Sequence, residues 1–194
     1  MITGQIVQQI PVLTDHPIHY KANIERINFD QNSNVNRNTI LRLAECKFVE
    51  KNENILITGS TGVGKSYLGS ALDYQACIQG FKVSYFNNSK LFAKLKIAKA
   101  DGSYLRELAK IERQYFIILD DSTLQSINSH NRITLLEIIE DRHNNGSIIV
   151  TSQIPKHGLY DIIGEKTISD AILDRLINES QRIELHGESM RKKR

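Results

Sequence analysis

An apolar run that leads directly into a glycine-rich loop constrains the fold of this chain more than any other feature. Residues 55–58 read Ile-Leu-Ile-Thr, and the next eight match the pattern G-x-x-x-x-G-K-[ST] in full: Gly59, Ser60, Thr61, Gly62, Val63, Gly64, Lys65 and Ser66. Such a loop turns so that its N–H groups and the N-terminus of the next helix surround a phosphate. The sequence therefore predicts a strand, a phosphate-binding loop and a helix in succession. An accidental glycine-rich turn is the alternative, and the flanking patterns argue against it.

Two side chains of the loop have predicted chemical roles. Lys65 should reach the β and γ phosphates of a nucleoside triphosphate and take part in catalysis. The Ser66 hydroxyl should complete one Mg²⁺ position, since this ion prefers oxygen ligands. The motif thus predicts ATP and Mg²⁺ as cofactors. All eight residues of the loop, together with Tyr67 directly after it, are candidate nucleotide-binding residues.

Apolar runs alternate with helical patterns along the rest of the chain. Predicted strands lie at 55–58, 83–86, 115–119, 148–151 and 183–185. Predicted helices lie at 34–50, 65–79, 89–99, 103–112, 131–143 and 170–178. This alternation indicates an α/β fold, with a largely parallel sheet covered by helices on both faces. We expect one domain over residues 21–194, preceded by an irregular N-terminal extension at residues 1–20.

The composition is that of a folded domain outside the membrane. The 194 residues are 40% hydrophobic and 24% charged, and no apolar run reaches the roughly 18 residues needed to span a bilayer. The N-terminus lacks a basic and apolar leader, so a cytoplasmic location is expected. Cys46 and Cys77 have neither disulfide nor metal-site spacing, and both are interpreted as buried thiols.

A second apolar strand ends in two carboxylates, Asp120 and Asp121. Asp120 is predicted to face the metal through water. Asp121 is predicted to orient, or accept the proton of, the water that attacks the γ-phosphate. A solvated turn is the usual meaning of such a pair, but the complete phosphate loop upstream favours the functional interpretation.

Polar side chains also follow the predicted strand at 148–151. Parallel sheets place ligands at this carboxyl edge, which makes Gln153 a candidate sensor of the γ-phosphate. A strand end capped by polar residues is the simpler alternative.

Two further segments are more specific than the phosphate loop: Asp-Ala-Ile-Leu-Asp-Arg-Leu at 170–176 and Gly-Glu-Ser-Met-Arg at 187–191. With the loop, the Asp-Asp pair and Thr-Ser-Gln at 151–153, they resemble the IstB-like ATPases, the helper proteins of an insertion-sequence transposon family. These are similar to the helicase loader DnaC and the initiator DnaA, all within the AAA+ ATPases. The resemblance runs from about Ala22 to Arg191. It implies a three-layer α/β/α P-loop fold with a five-stranded parallel sheet and little or no helical lid.

The resemblance also implies an ATP-driven homo-oligomer, a ring or spiral, in which Arg175 reaches the γ-phosphate held by a neighbouring subunit. An arginine supplied in this way neutralises charge in the transition state. Pairing with Asp170 or Asp174 on its own helix is the alternative. Arg191 matches a second family arginine that approaches the nucleotide, and membership of the basic tail at 191–194 is the competing interpretation.

This chain departs from the family pattern in two places. Ser122 and Thr123 follow the acidic pair where relatives often have Phe-Gly, so the loop there is expected to differ in shape. Relatives commonly carry an N-terminal domain that engages the transposase or another partner, and residues 1–20 are too few to form one. The expectation is therefore a truncated chain or a lost partner function.

The net charge of +3 does not by itself indicate nucleic-acid binding. Residues 89–99, however, form a basic amphipathic pattern, and in the resembled family this segment faces the DNA channel. Lys94, Lys96 and Lys99 are therefore candidate contacts to the DNA backbone. A solvated helix face is the alternative.

Three functions remain open at this point. The first is a weak ATPase, stimulated by DNA or by oligomerisation, that assembles on DNA and stimulates a transposase. The second is a loader that delivers a replicative helicase. The third is a small-molecule kinase, which no visible substrate motif favours.

Overall fold

A five-stranded parallel sheet forms the centre of the computed structural model, which describes residues 22–27, 36–120, 127–163, 165–177 and 180–190. The strand order is β2-β3-β4-β1-β5, and every neighbouring pair is parallel. The strands are β1 (Ile55–Gly59), β2 (Val83–Asn87), β3 (Phe116–Asp120), β4 (Ser147–Ser152) and β5 (Gln181–Leu185). The predicted α/β fold with a five-stranded parallel sheet is confirmed.

Eight α-helices occur in the described part of the chain. They are α1 (Arg37–Ala44), α2 (Lys47–Glu50), α3 (Lys65–Ile78), α4 (Asn88–Ala100), α5 (Tyr104–Glu112), α6 (Ser129–Arg142), α7 (Lys156–Ile163) and α8 (Lys166–Ile177). A short 3-10 helix covers Ile24–Arg26. No helix in these residues is long and apolar enough to cross a bilayer.

Two hydrophobic cores lie on opposite faces of the sheet. One joins α1 and α3 to the face that carries Ile57, Tyr85 and Ile118. The other joins α4, α6 and α8 to the face that carries Leu119 and Val150. Because both faces are covered, β3 and β4 contain unbroken apolar runs at 116–119 and 148–150, as parallel strands do when buried on both sides.

Asparagine residues begin three of the helices. The side chains of Asn36, Asn87 and Asn128 accept hydrogen bonds from backbone N–H groups in the first turns of α1, α4 and α6. The cap at Asn128 explains why α6 begins at Ser129, two residues before its predicted start.

The structure corrects two predicted helices and adds one that was not predicted. The single helix expected at 34–50 is two helices, because Cys46 has a left-handed backbone with φ of 56°. The last helix begins at Lys166 and not at Asp170. Helix α7 was not predicted, since Gly158 interrupts its short apolar pattern. The expected N-terminal extension at residues 1–20 lies outside the described residues.

Both cysteines are free thiols. Burial raises the pKa of Cys46 to about 11. Burial first, and the charge of Asp73 next, raise the pKa of Cys77 to about 12. Neither thiol ionises readily at neutral pH. The interpretation as a buried thiol is confirmed for Cys46, whereas Cys77 is half-buried.

Candidate nucleotide-binding site

The glycine-rich loop joins the end of β1 to the start of α3. Gly62 and Gly64 have φ of 84° and 104°, in the left-handed region that favours glycine. A Cβ added at Gly62 would lie 2.2 Å from Ser189 Oγ, so a larger residue is excluded by space as well as by conformation. The loop therefore depends on glycine at this position for two separate reasons.

Lys65 lies inside the loop and is only 7% exposed. Its ammonium group donates to the carbonyl oxygens of Gly59 at 2.7 Å and Ser60 at 2.8 Å. Since α3 begins at Lys65, the N–H groups of its first turn point toward the same loop. The loop thus combines a fixed cation with the positive end of a helix, which suits an anionic phosphate.

The carboxylate of Asp120 lies beside the loop and is held by three hydroxyl groups. Ser66 Oγ donates to Oδ1 at 2.9 Å, and Thr151 Oγ1 donates to the same oxygen. The Tyr85 hydroxyl donates to Oδ2 at 2.6 Å. Residues from β2, β3, β4 and the start of α3 therefore meet at one carboxylate, and the two predicted metal-site residues, Ser66 and Asp120, lie together.

Tyr85 and Thr151 were not predicted as site residues. In the parallel register Thr151 lies opposite Asp120, and Tyr85 lies opposite Ile118, two residues earlier on the same face of β3. The sequence signal for both is a residue with a side-chain hydroxyl near the carboxyl end of a strand that pairs with β3. That signal becomes usable only once the strand order is known.

The donor set fits a hard cation such as Mg²⁺. Ser66 and Asp120 offer hydroxyl and carboxylate oxygens, the ligand type that this ion prefers. Within the described ranges no three His, Cys, Asp or Glu side chains form a metal cluster. With Ser66 and Asp120 as oxygen donors, such an ion would complete its coordination with phosphate and water. Asp121 lies outside the described residues.

Gln153 and Tyr67 both lie close to the loop. Thr61 Oγ1 donates to Gln153 Oε1 at 2.8 Å, which places the predicted sensor residue directly against the glycine-rich turn. The Tyr67 hydroxyl lies 3.3 Å from both the backbone N and O of Asn23. Tyr67 therefore ties the segment before α1 to the first turn of α3.

The segment after β5 crosses over the phosphate loop. The backbone N–H of Met190 donates to the Gly62 carbonyl at 3.0 Å. Its side chain lies so close that a Cβ at Gly64 would be 2.7 Å from the Met190 Cε. Arg191 is the next residue and lies outside the described part of the chain.

Arg175 lies at the end of the sheet opposite the phosphate loop, near the start of β1. Its guanidinium donates to the Ala171 carbonyl at 3.0 Å and pairs with Glu140 on α6 at 3.3 Å. The Arg175 carbonyl accepts a hydrogen bond of 2.9 Å from Asn54, the residue just before β1. Arg175 thus pairs with Glu140 on a neighbouring helix, where the alternative from sequence was Asp170 or Asp174.

Two of the three candidate DNA-contacting lysines make ion pairs within the chain. Lys94 pairs with Glu107 at 2.7 Å. Lys99 lies 3.8 Å from Glu137 and also packs over the Tyr104 ring. Lys96 is exposed and has no ion pair among the described residues. The three lysines are therefore not equivalent in their surroundings.

A phosphate loop after the first strand, a carboxylate at the end of the third and the strand order β2-β3-β4-β1-β5 together define a P-loop protein. Solved structures share this fold. The DnaC helicase loader superposes with a TM-score of 0.68 at 21% identity, covering 86% of this chain and 98% of its own. A replication initiator DnaA superposes with a TM-score of 0.74 at 17% identity, covering 88% of this chain and 51% of its own.

Residues 12–194 match the family described as IstB-like ATP binding protein, and the chain belongs to that family. Among its relatives is y4pL, an insertion sequence ATP-binding protein of Sinorhizobium fredii, 38% identical over 90% of this chain and 71% of the relative. The insertion sequence IS21 ATP-binding protein of Pseudomonas aeruginosa is 30% identical over 88% of this chain and 64% of the relative. This chain spans only 59% of the length of y4uH, a second S. fredii relative.

Proposed function

We propose that this chain is a helper ATPase that binds ATP with Mg²⁺ at Gly59–Ser66 and hydrolyses it while assembled on DNA. The observation that carries this proposal is the 2.9 Å hydrogen bond between Ser66 Oγ and Asp120 Oδ1. It joins the phosphate loop to the metal-side carboxylate across a separation of 54 residues. Family membership supports ATP as the ligand, and the names of the relatives connect the family with insertion sequences.

Five side chains in and around the loop have defined tasks in this proposal. A bound Mg²⁺ neutralises charge on the phosphates. Lys65 binds the β and γ phosphates from inside the loop, while Ser66 holds the ion directly and Asp120 holds it through water. Asp121 orients the attacking water. Gln153, which contacts Thr61, is positioned to respond to the γ-phosphate.

Two arginines complete the proposed site. Arg175 acts on the γ-phosphate of a neighbouring subunit in a ring or spiral, which agrees with its place far from its own loop. Arg191 approaches the nucleotide of its own subunit. The contacts of Met190 with Gly62 and Gly64 support this role, because they bring the preceding residue to the loop.

The proposed DNA contact is electrostatic and directed to the backbone. Lys96 is the strongest of the three candidates, because Lys94 and Lys99 already neutralise carboxylates within the chain. Hydrolysis is proposed to be weak in the isolated chain and stimulated by DNA or by oligomerisation. The protein partner is a transposase, and the complex acts in the cytoplasm.

Delivery of a replicative helicase is a second candidate with the same fold. Preference for single-stranded over duplex DNA would favour this loader function over the transposition helper. A small-molecule kinase would keep its size on gel filtration with a non-hydrolysable ATP analogue and DNA. Growth to a larger species under those conditions supports either of the first two functions.

A Lys65→Ala variant tests the nucleotide site directly. Titration with a fluorescent ATP analogue should show tight binding by the native chain and none by the variant. Lys51→Ala is the matched control, because Lys51 is an exposed lysine paired only loosely with Glu53 at 3.9 Å. Equal nucleotide affinity in native and Lys65→Ala protein would contradict the proposed function.

A further inference from the structure

The two oxygens of the Asp120 carboxylate have different partners. Oδ1 accepts hydrogen bonds from Ser66 and Thr151, which lie on the side of the phosphate loop and of β4. Oδ2 accepts a 2.6 Å hydrogen bond from the Tyr85 hydroxyl on β2. A carboxylate bound from both ends cannot rotate about its terminal bond without losing one of these contacts.

Tyr85 is a rigid donor for this purpose. It is 6% exposed, and its ring is part of the core between α3 and the sheet. Its backbone lies opposite Ile118 in the β2–β3 register, two residues before Asp120. A tyrosine hydroxyl carries its proton at neutral pH and can therefore donate to Asp120.

We propose that Tyr85 is a positioning residue for the Mg²⁺ site. By holding Oδ2, it directs Oδ1 toward Ser66 and sets the affinity with which the loop binds Mg²⁺ together with nucleotide. The inference rests on the proposed function, since it concerns the same metal site. Partners that orient a metal-site carboxylate typically change metal affinity by 10- to 100-fold when they are removed.

The substitution Tyr85→Phe keeps the buried ring and removes the hydroxyl, which donates to Asp120 and lies beside Ser66 and Ser70. Tyr104→Phe is the matched control. Its hydroxyl also donates to a carboxylate, that of Glu137, but it lies on α5 and contacts α6, away from the phosphate loop. Both variants lose a phenol–carboxylate hydrogen bond, and only one loses it at the proposed metal site.

The experiment is a Mg²⁺ titration of fluorescent ATP analogue binding, repeated in EDTA, with thermal unfolding of each variant as a check on folding. We expect Tyr85→Phe to need roughly tenfold more Mg²⁺ for half-maximal binding, at the lower end of the expected range. Its nucleotide affinity in EDTA should match that of the native chain. Tyr104→Phe should keep the native Mg²⁺ requirement.

Each outcome decides the proposal. An unchanged Mg²⁺ requirement in folded Tyr85→Phe would overturn it, and so would an equal loss of affinity with and without Mg²⁺, which indicates a packing role. If Tyr85→Phe does not fold, Tyr85→Met, which also lacks the hydroxyl, is measured in its place, and an unchanged Mg²⁺ requirement in that variant would overturn the proposal. A native chain that binds no nucleotide at all would refute the proposed function itself.

Discussion

The Arg175 guanidinium lies 3.3 Å from Glu140 Oε1, at the edge of the sheet where β1 begins. Asn54 connects Arg175 to the start of β1, since its side chain donates to the Arg175 carbonyl and it directly precedes the strand. Lys65 binds Gly59, at the other end of the same strand. The five residues of β1 span roughly 16 Å at the usual rise per residue. Arg175 and the phosphate loop of one chain are therefore separated by the length of the sheet.

This separation predicts that Arg175 acts between subunits. Arg175→Ala should lower DNA-stimulated ATP hydrolysis by at least about tenfold, since a trans arginine supplies much of the rate. Mixing it with Lys65→Ala should restore activity, because one variant binds ATP and the other supplies the arginine. Hydrolysis rates of each variant and of the mixture provide the measurement. Arg113→Ala, an exposed arginine after α5, serves as control, and absence of rescue in the mixture would exclude action in trans.

Asp121 is predicted to affect turnover without affecting binding. Asp121→Asn removes the base that orients water but keeps a polar side chain of similar size, so ATP should stay bound while hydrolysis stops. Asp120→Asn should weaken the Mg²⁺-dependent binding itself, because Asp120 contacts Ser66. Nucleotide affinity and phosphate release measured on both variants distinguish the two roles. Native turnover by Asp121→Asn would remove this residue from the mechanism.

Because the lysines of α4 differ in their ion pairs within the chain, we expect their substitution to affect DNA binding to different extents. Lys96→Ala should reduce the slope of log affinity against log salt by about one, because one phosphate contact is lost. Lys99→Ala should leave that slope unchanged and lower thermal stability, since Lys99 contacts Thr134 and the Tyr104 ring. Affinity for a duplex of fixed length is measured across a salt series. Equal slopes for Lys96→Ala and the native chain would contradict the assignment.

The lowered pKa of Glu107 predicts that the stability of the folded chain depends on pH. Its hydrogen bonds to Lys110 and Lys94 lower the pKa of its carboxyl from 4.5 to about 2. A depressed folded-state pKa means that the stabilisation is complete above pH 4.5 and is lost as pH falls toward 2. Glu107→Gln should therefore lower the free energy of unfolding by on the order of 1 kcal/mol at pH 7. Urea unfolding of native and variant chains should show this gap closing between pH 4.5 and 2.

Arg142 is predicted to be the most sensitive structural residue of the helix layer. It is 2% exposed, and burial lowers its pKa to about 10. Its guanidinium donates to four carbonyl oxygens near the starts of β3 and β4: those of Ile111, Gln114, Tyr115 and Ser147. Arg142→Met should cost about 3 kcal/mol, because these carbonyls lose a charged donor. Chemical denaturation measures this loss, and a cost no larger than that of exposed Arg113→Met would refute the role.

The sequence alone determined the phosphate loop, the alternation of strands and helices and the family. These follow from local patterns: glycines at fixed spacing between an apolar run and a helix, and apolar runs at the lengths of buried strands. The short helix α7 and the break at Cys46 escaped prediction, because a short pattern and a single left-handed residue leave little trace in a sequence.

Tertiary structure decided which side chains meet. Tyr85 and Asp120 are 35 residues apart, and they come together because β2 pairs with β3 in one particular register. The pairing of Arg175 with Glu140, and the exposure of Lys96 beside the paired Lys94, depend on how the helices are rotated against each other. Periodicity identifies the buried face of a helix, but contacts between distant residues require the strand order and the packing angles.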